Sequence, residues 1–277
     1  MRSVWTLLLN VVGVAVFALA GVLVPGAARA DVLRVGGTGA GTIGLVAMSD
    51  AVAAGAGVRI QGLPSLGSAG GMRALAGGRI DLAIIGRAVS AEEARSGARV
   101  AATVYTPFVF VTSRAAAPAM KLAEVVEAYG NSRAQWRDGS PVTLVLRQRS
   151  DGDAILLDRL FQGMAAAVER ARKRSEVLVS VVDDDNADMA EQTGNSLATM
   201  SYSQVRIERR KLQVIAVNDV APSVASVRDG SYPYARPFHL VLPAKPGAAA
   251  LRFVAFLQSE RGKDALRDVH WMMDYAP

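Results

Sequence analysis

The chain has 277 residues, 51% hydrophobic and 20% charged, enough for one large folded domain or two small ones. It has no cysteine, which excludes a disulfide framework, a catalytic thiol and a lipid anchor on an N-terminal Cys. The formal charge of +6 comes almost wholly from scattered Arg, with no Lys/Arg run interleaved with aromatics, and this argues against a nucleic-acid partner.

Residues 1–30 read as a secretory signal peptide. Arg2 precedes an apolar run from Val4 to Val24, and Ala28-Arg29-Ala30 forms an A-x-A cleavage site. About 20 apolar residues can also span a bilayer, so an uncleaved anchor is the alternative. Asn10 inside the run favours cleavage. The expected product is a periplasmic protein starting at Asp31, with no membrane attachment.

A short strand is predicted over Val32–Val35, followed by the glycine-rich stretch Gly36 to Gly44 and a helical pattern from Leu45. A strand, a glycine turn and a helix N-terminus make an anion cradle, because backbone N–H groups there point outward with partial positive charge. Val58–Gln61 reads as a second strand, residues 62–71 as a small-residue loop, and Met72 to Ala76 as a short helix. Asp81–Ile85 is a third strand, and Ser90 with Glu93 forms a capping box. Val100 to Thr112 is a long β-branched strand with a break expected at Pro107. This β-α alternation predicts a mostly parallel sheet flanked by helices, with loops 36–42, 62–71 and 86–90 converging beyond the strand ends.

A second unit repeats the alternation. It has a helix from Leu122 to Tyr129, a strand over Val142–Leu146 and the polar loop Arg147 to Asp153. A single helix is predicted from Ala154 to Ala171, with an apolar face at Ile155, Leu156, Leu160, Phe161 and Met164. A strand over Val177–Val182 leads to Asp183-Asp184-Asp185-Asn186, read as the cap of a helix to about Gln192. Short strands follow at Ala198–Tyr202, Val214–Val217 and Phe238–Leu242, and helices at Ala248–Gln258 and after Ser259. The order predicts two α/β lobes, 31–113 plus 236–277 and 114–235, with a ligand cleft between them.

Several chemistries find little support. Gly39-Ala40-Gly41-Thr42-Ile43-Gly44 fits G-x-G-x-x-G, but no acid stands about 20 residues on to hold a ribose. Two His and an Asp cluster lacking the calcium-loop glycine and glutamate give no metal site. Gly67-Ser68-Ala69-Gly70 lacks the spacing of a nucleophile elbow, so no catalytic residue, cofactor or metal is expected. Arg87, Arg147 and Arg149 at loop positions suit an oxyanion.

Taken in order, these motifs resemble the periplasmic phosphate-binding proteins of ABC importers, within the type 2 periplasmic binding protein family. Gly37 to Thr42 is similar to the family's first phosphate loop, and Gly67 to Leu75 to its G-S-x-G-G helix entry. Asp81 to Ser90 is similar to its D-I-G-x-A-S-R-P-L-S segment, and Arg147 to Asp153 stands where it has R-x-x-G-S-G-T. Gly230-Ser231-Tyr232-Pro233 with Arg236-Pro237 resembles its return to the first lobe, and Phe253 to Gly262 its terminal helix. The resemblance implies a ligand site at Thr38, Gly39, Ala40, Thr42, Gly67, Ser68, Arg87, Arg147, Ser150, Asp151 and Gly152. It implies a monomer that captures a small oxyanion, most simply phosphate, for an ABC transporter permease. Asp151 and Asp153 depart from the family's hydroxyl donors: an ionised Asp only accepts, and each repels a dianion by about 1 kcal/mol at about 4 Å. The alternative is therefore an extracytoplasmic regulatory or interaction protein of the same fold that binds another ligand or none.

Overall fold

A computed structural model describes residues 31–63, 65–116 and 119–275. The expected signal peptide lies outside the described residues. The first half of the chain forms β1 (Asp31–Gly37), α1 (Gly39–Ala47), α2 (Ser49–Ala56), β2 (Val58–Gly62), α3 (Gly67–Ala76), β3 (Leu82–Ile85), α4 (Ala91–Arg95) and β4 (Arg99–Thr112). Then come α5 (Leu122–Gly130), β5 (Thr143–Arg147), α6 (Gly152–Leu160), α7 (Met164–Ala171), β6 (Leu178–Ser180), α8 (Asp183–Gln192) and β7 (Ser196–Ser201). The chain closes with α9 (Tyr202–Ile207), β8 (Gln213–Val214), α10 (Val224–Arg228), β9 (Ala235–Leu242), α11 (Ala248–Leu257) and α12 (Glu260–Asp268).

The strands run in the order β2-β1-β3-β9-β4-β7-β5-β6, with β8 against β4. Two parallel groups, β1 with β2 and β3, and β5 with β6 and β7, carry the βα turns. Between them β4 and β9 run antiparallel to each other and tie the groups together. This is the two-lobed α/β architecture expected of a type 2 periplasmic binding protein.

Each lobe has its own core. Leu33, Val35, Leu45, Leu82, Val104, Phe238, Phe253 and Trp271 belong to one, and Phe108, Phe110, Tyr129, Leu144, Leu146 and Phe161 to the other. The chain therefore changes core within β4, between Val104 and Phe108, and again in β9 between Ala235 and Phe238. The sequence division at 113/114 falls at the end of β4, after the change.

Five local expectations are corrected. Pro107 does not break β4. It pairs with Ala235, and from Phe108 onward the strand pairs with β7 instead, so the residue without an N–H sits where the partner changes. The glycine stretch 39–44 is not a loop: α1 starts at Gly39, and only Gly37-Thr38 forms the turn. Likewise α3 starts at Gly67, not Met72. The helix over 154–171 is two helices. Gly163, at φ 83°, begins the second, and the interruption turns Phe161 in beside Phe110 and Tyr234, with ring centroids 4.9 and 4.2 Å away. Ile155, expected on the buried face, is 47% exposed.

The first lobe depends on close backbone packing of α3 against β1. A Cβ added at Gly71 would lie 2.7 Å from the Gly37 Cα, and backbone cannot move aside as a flexible side chain would. We predict that Gly71→Ala lowers stability by about 1–3 kcal/mol, although alanine is the better helix former. Denaturant unfolding measures this, and an unchanged or higher midpoint would contradict the packing.

Candidate functional site

The turn after β1 is built as an anion site. Gly37, at φ 146°, lies so close to β3 that a Cβ would stand 1.9 Å from the Ile84 carbonyl oxygen. The Thr38 N–H donates to that oxygen at 2.9 Å, and the Thr38 hydroxyl accepts from Gly41 N–H at 3.1 Å as the cap of α1. Gly39, Ala40, Gly41 and Thr42 form the first turn, all buried. The Ala40 N–H donates at 3.1 Å to Oδ2 of Asp183, at the start of α8 in the other lobe. The partial positive end of α1 thus holds a carboxylate from this same chain.

The opposite wall is equally occupied. Arg147, 4% exposed at the end of β5, makes a two-pronged pair with Asp151, Nε to Oδ1 at 3.1 Å and Nη2 to Oδ2 at 2.7 Å. Its Nη2 also lies 3.4 Å from Asp183 Oδ1. Asp151 in turn caps α6 by accepting from Asp153 N–H at 2.9 Å. Arg236, 1% exposed on β9, places Nε 2.8 Å from Asp153 Oδ1 and Nη2 3.3 Å from Asp183 Oδ1. The first of these is close in distance but not aligned as a hydrogen bond, so Arg236 Nε and Asp153 Oδ1 remain without a hydrogen-bond partner. Three carboxylates therefore meet two guanidiniums in the interior.

The lobes touch through backbone beside this cluster. A Cβ on Gly152 would fall 2.5 Å from the Gly86 carbonyl oxygen, so only glycine lets α6 approach the loop after β3 so closely. Ser68, in the first turn of α3, accepts from Gly86 N–H at 3.1 Å and fixes that loop. Gly67 precedes it at φ 65°.

The structure thus brings together Thr38 to Thr42, Ser68 through Gly86, Arg147, Asp151 and Gly152. It does not bring in the remaining expected residues. Arg87 pairs with Glu93 at 2.7 and 2.8 Å, and this contact, outweighing burial, holds the Glu93 carboxyl down at about 2. Glu93 also completes the Ser90 capping box, so Arg87 supports α4. Arg149 pairs with exposed Glu169 on α7, and Ser150 is exposed. Asp183 does not cap its own helix; the cap position is Val182, with no side-chain bond. Two residues of the cluster, Asp183 and Arg236, were not among the expected ligands. Their signals were present: an acidic run right after a strand, and an arginine within the return motif. Among the described residues no three His, Asp or Glu side chains gather to hold a metal ion.

The charge imbalance falls on Asp153. Burial, reinforced by Asp151 and Asp183 and opposed by Arg236 and Arg147, raises its carboxyl to about 7. For Asp183 burial acts in the same direction, but Arg236, Arg147 and the Ala40 N–H together outweigh it and keep its carboxyl below the usual value. Asp183 is the ionised centre, and Asp153 is the group that takes a proton.

Two predictions follow from the cluster. The folded chain holds the Asp153 proton from the ordinary value of 3.8 up to about 7, whereas the unfolded chain has lost it. Stability from this group is therefore complete below about pH 4 and lost as pH rises through about 7. Half-buried His239 and His270, both lowered by burial, give the opposite slope, so the readout is a difference. The melting temperature of the wild type minus that of Asp153→Asn should fall between about pH 5 and 8; a flat or rising difference would mean that Asp153 is ionised throughout. Arg236→Ala, which leaves Asp153 without its nearest guanidinium and Asp183 with Arg147 alone, should cost about 3–5 kcal/mol in equilibrium unfolding.

Comparison with known proteins agrees with this architecture. Residues 24–261 match the family described as the PBP superfamily domain. Among solved structures, the chain is similar to a phosphate ABC transporter substrate-binding protein from Clostridium perfringens, solved with bound phosphate. The TM-score is 0.70 at 18% identity, over 88% of this chain and 99% of that one. A phosphate-binding protein from Stenotrophomonas maltophilia matches with TM-score 0.63 at 13% identity, over 87% and 90% of the two chains. The effector-binding domain of QuiR, in complex with shikimate, matches with TM-score 0.53 at 12% identity, over 86% and 96%. No match was found among curated proteins. The family match spans most of the chain and the fold agrees with it, and the chain belongs to the PBP superfamily.

Proposed function

We propose that this chain is a binding protein and not an enzyme, and that it works outside the cytoplasm as a regulatory or interaction protein whose interlobe cleft is filled by its own side chains. The observation that carries this reading is the position of Asp183. Its carboxylate takes the α1 N–H and both buried guanidiniums, the groups a phosphate would need. Asp153 lies 2.8 Å from the Nε of Arg236. Four surface cavities of about 820, 620, 340 and 190 Å³ lie elsewhere, and none is lined by Ala40, Arg147, Asp153, Asp183 or Arg236. The fold serves more than one ligand class, since a domain that binds shikimate shares it.

In this proposal the lobes divide within β4 and β9, where the chain changes core, residues 1–30 direct export to the periplasm, and the mature chain is a monomer. The second reading is phosphate capture for an ABC importer permease, favoured by the fold neighbours titled as phosphate-binding proteins. It requires Asp183 to withdraw from the α1 terminus before an anion can enter, and Asp151 and Asp153 to stay near a dianion that they repel.

Calorimetry on residues 31–277 separates the two. Phosphate, sulfate and molybdate should each give no saturable heat at millimolar concentration. Saturable heat with phosphate would overturn the proposal and establish the second reading. Loss of that heat in Arg147→Ala, by a factor of about 10–100, would then place the anion at this cluster.

A further inference from the structure

The contacts around Asp183 have an unusual form. Charge-assisted N–H to carboxylate bonds usually measure about 2.7–2.9 Å. Those to Asp183 measure 3.1 Å from Ala40 N, 3.4 Å from Arg147 Nη2 and 3.3 Å from Arg236 Nη2. Several long contacts from three different elements converge on one group, where a dedicated ion pair would have one or two short ones. Arg147 shows the contrast, because its pair with Asp151 closes to 2.7 Å. Moreover Arg236 Nη1 is buried with no partner, though the side chain is 1% exposed. The donors are thus spaced more widely than this carboxylate fills.

We propose that Asp183 is a resident ligand: its carboxylate occupies and masks an oxyanion site formed by the α1 N-terminus, Arg147 and Arg236. This rests on the reading of a self-filled cleft and adds that the site beneath Asp183 is a working one with a definite ligand class. The chemical class that the site accepts is a small oxyanion, a carboxylate or a phosphate. Arg147 and Arg236 retain Asp151 and Asp153 as partners when Asp183 is removed, so two guanidiniums then face two carboxylates. The positive end of α1 is left uncompensated, and a single anion restores the balance. The same geometry gives Asp183 a second role, since it is the side chain that bonds α8 of one lobe to α1 of the other.

Asp183→Ala vacates a space the size of a carboxylate, and the direct probe is acetate. Its melting temperature should lie below that of the wild type. It should rise by at least about 3 °C in 50 mM acetate or phosphate over chloride at equal ionic strength. Wild type and Asp183→Asn, whose side chain still fills the space, should show no such rise. A rise with acetate alone assigns the site to carboxylates, and one with phosphate alone assigns it to phosphate. Adding Arg236→Gln to Asp183→Ala should abolish the rise. If Asp183→Ala does not fold in chloride, recovery of its folded signal in acetate or phosphate has the same meaning, and Asp183→Ser is then tested in its place. A folded Asp183→Ala or Asp183→Ser that responds to neither anion overturns the inference, as does an equal response in Asp183→Asn. Phosphate binding by the wild type would instead overturn the functional proposal, so the two failures are distinct.

Discussion

The closed form of this molecule depends on one buried charge cluster. Arg147 and Arg236 are both almost fully enclosed, and two unpaired guanidiniums in such surroundings would cost far more than the fold can supply. Asp151, Asp153 and Asp183 neutralise them, and each acid comes from a helix start, where N–H groups and the helix dipole already favour a negative charge. The arrangement neutralises the cations in charge and overshoots by one carboxylate. Burial and the two neighbouring acids raise the Asp153 carboxyl to about 7, so the interior carries a titratable group near neutrality with no solvent contact of its own.

Because Asp183 reaches across to α1, the cluster also decides how the two lobes sit. Its contact partners belong to α1, β5 and β9, and the glycine pair Gly86 and Gly152 lets the backbones meet beside it. In a binding protein that closes around a solute, the ligand supplies the attraction that holds two lobes together. Here the Asp183 carboxylate bonds α8 of one lobe to α1 of the other.

Much of the architecture was legible in the sequence, because strands such as Leu82–Ile85 and Val109–Val111 are continuous apolar runs and the turns between them are rich in glycine. The capping box at Ser90 was legible because it is a local motif. Long-range pairing was not. Arg87 followed a strand at the proper place, yet Glu93, six residues on, takes it away from the cleft. Asp183 read as a local helix cap because nothing near it in sequence shows that α1, 143 residues away, would come within hydrogen-bond reach. The two-part helix at 152–171 was missed because an apolar periodicity continues through Phe161, and only the left-handed Gly163 interrupts it. Asp151 and Asp153 did stand out as substitutions, and they prove to be the partners of the two arginines.

The crossing between lobes is a laddered pair of strands in place of two free linkers. Tyr105, Thr106 and Pro107 of β4 face Pro237, Arg236 and Ala235 of β9 in register where the chain changes core. A ribbon of this kind resists bending in its plane and yields most readily to torsion, since twisting preserves its hydrogen bonds while splaying breaks them. Arg236 lies on that ladder opposite Thr106, so the cation facing Asp153 and Asp183 stands on the same strand pair through which the chain passes from one core to the other.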